Sequence, residues 1–390
     1  MSAGGSERAY AQRVRGLGTT IFAEMSELAR RTGAVNLGQG FPDTDGPPEV
    51  IEAAVQALRT GRNQYAPGPG VPELRTAIAD HQRRCYGLDL DPMSEVVVTT
   101  GATEAVAAAL LGLVDPGDEV VVLEPYYDSY VAGIQMAGGA RRPVTLRAPD
   151  FRLDVDALRA AITPRTRLVL LNSPHNPTGT VLTRDELSAV AELAIEHDLL
   201  VVTDEVYEHL TYGAEHVPIA TWPGMAERTV TISSAGKTFS FTGWKVGWAT
   251  GPAHLVGAVA AAKQYLTFTS GAPLQPAVAT ALGLPDQVLV DLRVDLQRRR
   301  DLLCDGLSAL GLEVFVPAGT YFATTDISPL GYPDGTAFCL DLPTRAGVVA
   351  IPHQVFYDDA DAGRMLVRWA FCKRDQVLHE ALDRLTRAFG

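Results

Sequence analysis

The stretch SSAGKTFSFTGWKVGW, Ser233–Trp248, sets Lys237 among small and hydroxyl-bearing residues and a second lysine, Lys245, after a Thr-Gly-Trp turn. The four residues before it, Thr229–Ile232 (TVTI), are all β-branched and predict a buried strand. Lys237 is therefore expected just past a strand end, on a turn of small side chains that lets a ligand come close. A lysine so placed loses hydration. Its ammonium form is disfavoured, its pKa falls, and the free amine becomes a nucleophile able to form a Schiff base. Two other readings stand beside that one. A lone lysine in a turn is commonly a solvated surface charge. Gly236-Lys237-Thr238 also matches the end of a phosphate-binding P-loop, but Thr231 occupies the position of that motif's first glycine.

Working outward, the runs Glu95–Thr99 (EVVVT), Glu119–Leu123 (EVVVL), Leu168–Leu171 (LVLL) and Leu199–Thr203 (LLVVT) are continuously apolar after their first residues. Helical patterns fall between and around them, at Pro47–Arg59, Pro72–Tyr86, Tyr126–Ala137 and Asp154–Ala161, and a capping box at Thr183 and Glu186 opens another. Strands apolar on both faces belong in a mainly parallel sheet sandwiched by helices. The expected fold is α/β, with 48–284 as a large domain. A dinucleotide-binding module would need G-x-G-x-x-G between strand and helix. The pairs Gly16/Gly18, Gly38/Gly40 and Gly68/Gly70 each lack the third glycine.

Chemistry is expected at the strand ends. Thr100-Gly101-Ala102-Thr103-Glu104 lies between a strand and an alanine-rich helix, an arrangement whose free N–H groups and dipole favour an anion. Glu124-Pro125-Tyr126-Tyr127-Asp128 offers an aromatic ring that can stack on a planar ligand or simply pack at a helix start. Asn172–Gly179 (NSPHNPTG) is an irregular turn in which Asn176 offers an amide donor. His175 beside it reads as a turn histidine, without partners at metal spacing. Asp204-Glu205-Val206-Tyr207 places a carboxylate at a buried strand end, where it needs a cationic or hydrogen-bonding partner or serves as a helix cap. Arg368 sits inside the apolar strand Met365–Phe371 (MLVRWAF) and calls for an anion or an internal ion pair. Loops at Val35–Asp43 (VNLGQGFPD) and Asn63–Gly70 (NQYAPGPG) present Gly40 and Tyr65, and a helix from Thr20 to Arg31 carries Phe22 on its apolar side.

These separated motifs resemble class I/II aminotransferases, the fold-type-I enzymes that use pyridoxal 5′-phosphate, from about Phe22 to the C-terminus. Within that family the chain is similar to kynurenine–oxoglutarate and glutamine/methionine transaminases and to N-succinyldiaminopimelate aminotransferases of actinobacterial type. The resemblance implies transamination between an L-amino acid and a 2-oxo acid, with Lys237 as the covalent and proton-transferring residue. It places Ala102, Thr103, Ser234 and Lys245 on the cofactor phosphate, with lysine where many relatives carry arginine. It stacks Tyr127 on the pyridine, pairs Asp204 with the ring nitrogen, and sets Asn176 and Tyr207 at the phenolic oxygen. Arg368 and Asn176 would hold the substrate carboxylate, with Gly40 and Phe22 beside it. Tyr65 would reach the cofactor phosphate of a neighbouring subunit and Phe268 the substrate in that subunit's site, so a homodimer with shared sites is implied. A pyridoxal-phosphate β-lyase acting on cysteine conjugates, and a non-catalytic cofactor-binding regulator, remain alternatives.

The chain has 390 residues, a net charge of −13 and four cysteines without a CxxC pair. The charge argues against a nucleic-acid backbone or an anionic membrane as partner. The scattered cysteines read as buried thiols of a reducing compartment, neither staples nor zinc ligands, and no metal is expected. No apolar run reaches the length of about 18 residues that suggests a membrane span, and the N-terminus lacks a signal pattern, so a soluble cytoplasmic protein is expected. Residues 1–47 are read as an arm, mobile to about residue 18, plus a segment that joins a small α+β domain formed by 285–390.

Overall fold

A computed structural model describes residues 9–390. The elements begin with α1 (Ile21–Thr32), β1 (Val35–Asn36), α2 (Pro48–Arg59), α3 (Pro72–Tyr86), β2 (Val96–Thr99), α4 (Gly101–Leu113) and β3 (Glu119–Glu124). Next come α5 (Asp128–Ala137), β4 (Ala140–Thr145), α6 (Val155–Ala161), β5 (Thr166–Asn172), α7 (Arg184–Glu196), β6 (Leu200–Asp204), β7 (Thr229–Ser234) and the single turn α8 (Ala235–Thr238). Then follow β8 (Gly247–Thr250), α9 (Ala253–Leu266), α10 (Leu274–Leu282), α11 (Asp286–Ala309), β9 (Glu313–Phe315), β10 (Phe322–Asp326) and α12 (Gly335–Arg345). The chain ends with β11 (Val348–Val349), β12 (Ile351–Pro352), β13 (Leu366–Ala370) and α13 (Asp375–Phe389).

Seven strands form the main sheet in the order β2-β8-β7-β6-β5-β3-β4. All run one way except β8, which pairs antiparallel with both β2 and β7. Side chains alternate between two cores, as strand pleating requires. Val120 and Val122 join Leu110, Ile232 and Val259 on one face, while Val121 and Leu123 join Leu171, Leu187 and Val201 on the other. Burying each such side chain stabilises by about 1.5–3 kcal/mol, so the sheet is a rigid platform. Helix starts follow the local chemistry: Thr183 and Glu186 close a capping box on α7, and Thr20 and Asp154 cap α1 and α6.

A second sheet, β12-β13-β10-β9, is antiparallel and sets Arg368 opposite Thr324 and Ile351. β1 pairs with β11, and Met25 and Leu37 pack in one core with Leu303, Phe338, Trp369 and Leu378. The segment before residue 47 thus closes onto the C-terminal part of the chain. Of the arm expected to about residue 18, residues 1–8 lie outside the described residues. Farther along, Gln135 Nε2 donates to the carbonyls of Arg13 and Arg15 at 3.3 and 2.8 Å, which ties this stretch to α5.

Candidate active site

The carboxyl ends of β2, β5, β6 and β7 meet at one edge of the main sheet, where Asn172 pairs with Asp204 and Gly247 pairs with both Ser234 and Thr99. A cavity of about 970 Å³ opens there. Phe22, Gly40, Ala102, Thr103, Tyr127, Asn176, Asp204, Tyr207, Ser234, Lys237, Lys245 and Arg368 all line it.

Lys237 stands in α8, directly past β7. Gly236 allows the tight return that follows: a Cβ there would lie 3.1 Å from Thr242 Cα. Lys237 Nζ donates to the Gly40 carbonyl at 3.3 Å and lies 5.7 and 5.5 Å from the ring centres of Tyr207 and Tyr321. The side chain opens onto the cavity, yet the surrounding protein strips bulk water from the amine. Desolvation pushes its pKa down to about 8, against the pull of Cys372 and Asp204. Near neutral pH a fraction of this lysine is free amine.

Asp204 ends β6 and is buried. Its Oδ2 accepts from Tyr130 Oη at 2.8 Å and its Oδ1 from the Val206 amide at 3.3 Å. Burial raises its pKa to about 6 in spite of both bonds. No lysine, arginine or histidine among the described residues forms an ion pair with it. Asn172 braces the same corner, donating to the Asp204 carbonyl and accepting from the Asn176 amide, both at 2.8 Å.

At the other end of the cavity, α4 begins without a side-chain cap, so its first amides remain free. Gly101 has φ +71°, and a Cβ on it would come within 3.2 Å of Lys245 Nζ. A Cβ on Gly247 would lie 2.6 Å from the Gly101 carbonyl carbon. Two glycines thus let a lysine and a helix N-terminus crowd together beside Ser234, a ready anion cradle.

Arg368 is 1% exposed. Its Nη1 donates to Asn176 Oδ1 at 2.9 Å and its Nη2 to the Gly38 carbonyl at 2.8 Å, while Nε has no partner. The guanidinium lies 3.9 Å from the ring centre of Phe322, with Phe22 and Phe356 at 5.1 and 5.4 Å. Desolvation lowers its pKa to about 10, which leaves it charged at neutral pH. A cation held by neutral acceptors and aromatic faces is poised for an anion.

Tyr65 and Phe268 lie apart from these residues. Their rings meet edge to face at 5.5 Å on the outer surface, and Tyr65 is 83% exposed. Lys263 Nζ joins the two loops by donating to the carbonyls of Gly68 and Phe268 at 2.6 and 2.7 Å. His175 behaves as a turn residue: its Nδ1 meets Thr178 Oγ1 at 2.7 Å, and burial drops its pKa to about 3.

Sequence reasoning missed Tyr130, Asn172, Tyr321, Phe356 and Cys372 as parts of this site. Tyr130 follows Tyr127 by one helical turn, and Asn172 opens the same NSPHNPTG motif as Asn176. Those spacings were the available signals. Tyr321, Phe356 and Cys372 arrive only through tertiary packing.

One ligand could answer all of this at once: a flat ring with an aldehyde for the amine, a basic nitrogen for Asp204 and a phosphate for the cradle. Pyridoxal 5′-phosphate has that chemistry, and the buried carboxylate without a cationic partner and the glycine-walled cradle fit it. The fold and the site define a fold-type-I pyridoxal-phosphate enzyme. The chain belongs to the aminotransferases of class I and II, whose family model matches residues 32–385. It is 56% identical to the N-succinyldiaminopimelate aminotransferase of Mycobacterium tuberculosis, with a TM-score of 0.95 over 97% of this chain and 100% of that one. It is 41% identical to a methionine aminotransferase of Escherichia coli, covering 95% of this chain and 96% of the relative. It is also 38% identical to a kynurenine–oxoglutarate transaminase of Mus musculus, covering 97% and 90%. The protein is a pyridoxal-phosphate-dependent aminotransferase acting on amino-acid and 2-oxo-acid substrates. No helix among the described residues is long and apolar enough to cross a membrane.

Proposed function

We propose that this aminotransferase draws its amino group from L-amino acids with large apolar or aromatic side chains, in keeping with its likeness to a methionine aminotransferase and kynurenine–oxoglutarate transaminases. The cavity wall carries this reading. Phe22 lies 5.8 Å from Phe356 and 6.4 Å from Tyr127, ring centre to centre. Among the described residues, the only cations lining the cavity are Lys237, Lys245 and Arg368, and each has a task. A distal carboxylate would find no further cation within this chain's wall. A second reading, N-succinyldiaminopimelate as donor, is favoured by the 56% identity to the Mycobacterium tuberculosis enzyme.

When bound, pyridoxal phosphate supplies an aldehyde that takes up the amino group and a ring that withdraws charge from the substrate's Cα. Asp204 would hold the ring nitrogen, Tyr207 and Asn176 the phenolic oxygen, and Tyr127 one ring face. Ala102, Thr103, Ser234 and Lys245 would hold the phosphate. Arg368 and Asn176 orient the substrate through its α-carboxylate, with Gly40 and Phe22 closing that end. Lys237 Nζ would remove the proton from the substrate's Cα and hold it as the ammonium for redelivery, and its lowered pKa supplies the free amine for that work. Tyr65 and Phe268, outside this protomer's own cavity, serve the site of a second copy, so the working form is a homodimer. We take 48–284 as the large domain and 285–390, joined by the segment 1–47, as the small one that carries Arg368. The free cysteines support a reducing, cytoplasmic setting.

A panel of amino donors tested with 2-oxoglutarate and with pyruvate decides among these readings. Preference for methionine, kynurenine or phenylalanine supports the first. A kcat/KM for N-succinyldiaminopimelate more than about tenfold above all of these, a difference of 1.4 kcal/mol, replaces it with the second. Catalytic release of ammonia and pyruvate from a cysteine conjugate, without an oxo acid, would mark the lyase.

A further inference from the structure

Away from the cofactor cavity, α3 carries His81 and Cys85 four residues apart, one helical turn, on the same face. The turn after β6 brings His209 to them. His81 Nε2 and His209 Nε2 stand 2.8 Å apart. One donor atom from each of His81, Cys85 and His209 lies within 4.8 Å of the others. Glu208 adjoins the group, 4.0 Å from His209 Nε2, with its carboxylate fixed by the hydroxyls of Tyr86 and Ser233. His81 is 1% exposed, and its Nδ1 has no hydrogen-bond partner. Cys85 and His209 are only half-buried, so the cluster is open to solvent on one side.

None of these side chains lines the cofactor cavity, and transamination has no use for them. A hydrogen bond between two imidazoles engages a single proton and does not involve the thiol. A cation between them would accept both nitrogen lone pairs and the sulfur.

We propose that His81, Cys85 and His209 form a structural zinc site, completed by the Glu208 carboxylate. Donor atoms around tetrahedral zinc are about 3.3–3.6 Å apart, given bond lengths of about 2.0–2.3 Å. The separations here, from 2.8 Å to at most 4.8 Å among the three ligands, bracket that range, so small side-chain shifts suffice. Two imidazoles and a thiolate are borderline-to-soft donors, which favours zinc over magnesium or calcium. The thiolate and the carboxylate balance the two positive charges, and Cys85 gives its proton to solvent when the metal binds. Arg84, the residue before Cys85, pairs with Asp286 at 3.3 Å, and its guanidinium also favours the Cys85 thiolate. The metal ties α3 to the turn that follows Asp204 and Tyr207, positions 128 residues apart in sequence at His81 and His209. Cysteine spacing alone hid this site, because its ligands come from a helix face and a distant turn.

Zinc chloride added to the dialysed holoenzyme, followed by a second dialysis and elemental analysis, tests the site. Retention of about one zinc per chain is expected, with cobalt chloride giving a thiolate-to-cobalt absorption band. Cys85→Ser should abolish that band, and His209→Gln should cut retained zinc to below about one-tenth per chain. Both variants should keep aminotransferase activity, and chelator should lower the melting temperature of the parent but not of the variants. Parent enzyme that retains less than about a tenth of an equivalent, or variants that retain as much as the parent, would overturn the proposal.

Discussion

Arg368→Gln is the substitution that most directly probes how this site holds its substrate. The guanidinium is buried, and its two bonds to Asn176 and Gly38, at 2.9 and 2.8 Å, end on neutral oxygens. Truncating one partner of a buried, hydrogen-bonded charge pair costs about 2–5 kcal/mol. If Arg368 receives the α-carboxylate, kcat/KM for the amino donor should fall roughly 30- to 5,000-fold. The assay is the first half-reaction, followed by the spectral change of the cofactor when amino acid is added without oxo acid. The control substrate is the primary amine with the same side chain and no carboxylate. For that amine, parent and variant should react at rates within about threefold of each other, so the preference for amino acid over amine collapses in the variant. Arg368→Lys keeps the charge but loses the planar fork and should fall between the two. The arginine also packs over Phe322 at 3.9 Å, so melting temperature and cofactor uptake are measured alongside. A variant that keeps normal cofactor uptake and reacts with the amino acid within about threefold of the parent would falsify the role given to Arg368.

Three further outcomes are expected. Lys237 titrates near 8 in the folded chain, against 10.5 as the ordinary value. The unfolded chain therefore binds more protons between those limits, and cofactor-free protein should gain stability as pH rises from about 8 to 10.5. Denaturant midpoints across that range should show a slope that Lys237→Met flattens, and an unchanged slope refutes the depressed pKa. Asp204 has its pKa raised to about 6 from 3.8, so the folded state binds the extra proton and stability should fall as pH rises through that window. Asp204→Asn should remove this slope from the cofactor-free protein while lowering transaminase activity at least about 100-fold. Tyr65→Phe should weaken cofactor affinity by about tenfold, through one lost hydrogen bond to a charged group. Equal affinity in parent and variant, measured by cofactor titration, would remove Tyr65 from any neighbouring site.

Much of the fold was legible because β2, β3, β5 and β6 are apolar on both faces, a pattern that only a doubly covered sheet explains. β8 was not, since GWAT is too short and mixed to announce a strand. It pairs antiparallel with β7 after the turn that carries Lys237, in which Phe241 and Trp244 stack at 4.0 Å. The site residues that could be read were those whose local setting conflicts with their chemistry. A lysine among small residues, an aspartate at a buried strand end and an arginine within MLVRWAF each need something the neighbouring sequence does not provide. Tyr130, Tyr321 and Phe356 create no such conflict, because a buried aromatic is ordinary, and only the fold shows what they touch. The His81–Cys85–His209 group was illegible for a related reason: neither histidine is odd where it stands, and only their approach makes them a set.

The segment 35–43 explains how this site can fold before any ligand reaches it. Its carbonyl oxygens satisfy four donors packed around them: Gly38 accepts from Arg368, Gly40 from Lys237 and Tyr321, and Phe41 from Lys373. Gly40 must be glycine for this, because a Cβ there would lie 2.3 Å from the Phe322 ring. These oxygens are neutral acceptors, and a charge-assisted bond to a carboxylate is roughly twice as strong as a neutral one. Replacing a carbonyl by a substrate carboxylate at Arg368 therefore favours the ligand by on the order of 1 kcal/mol per bond, without first exposing an unsatisfied buried charge. The chain's own backbone thus acts as a weak stand-in for substrate, strong enough to keep the cations in place and weak enough to be displaced.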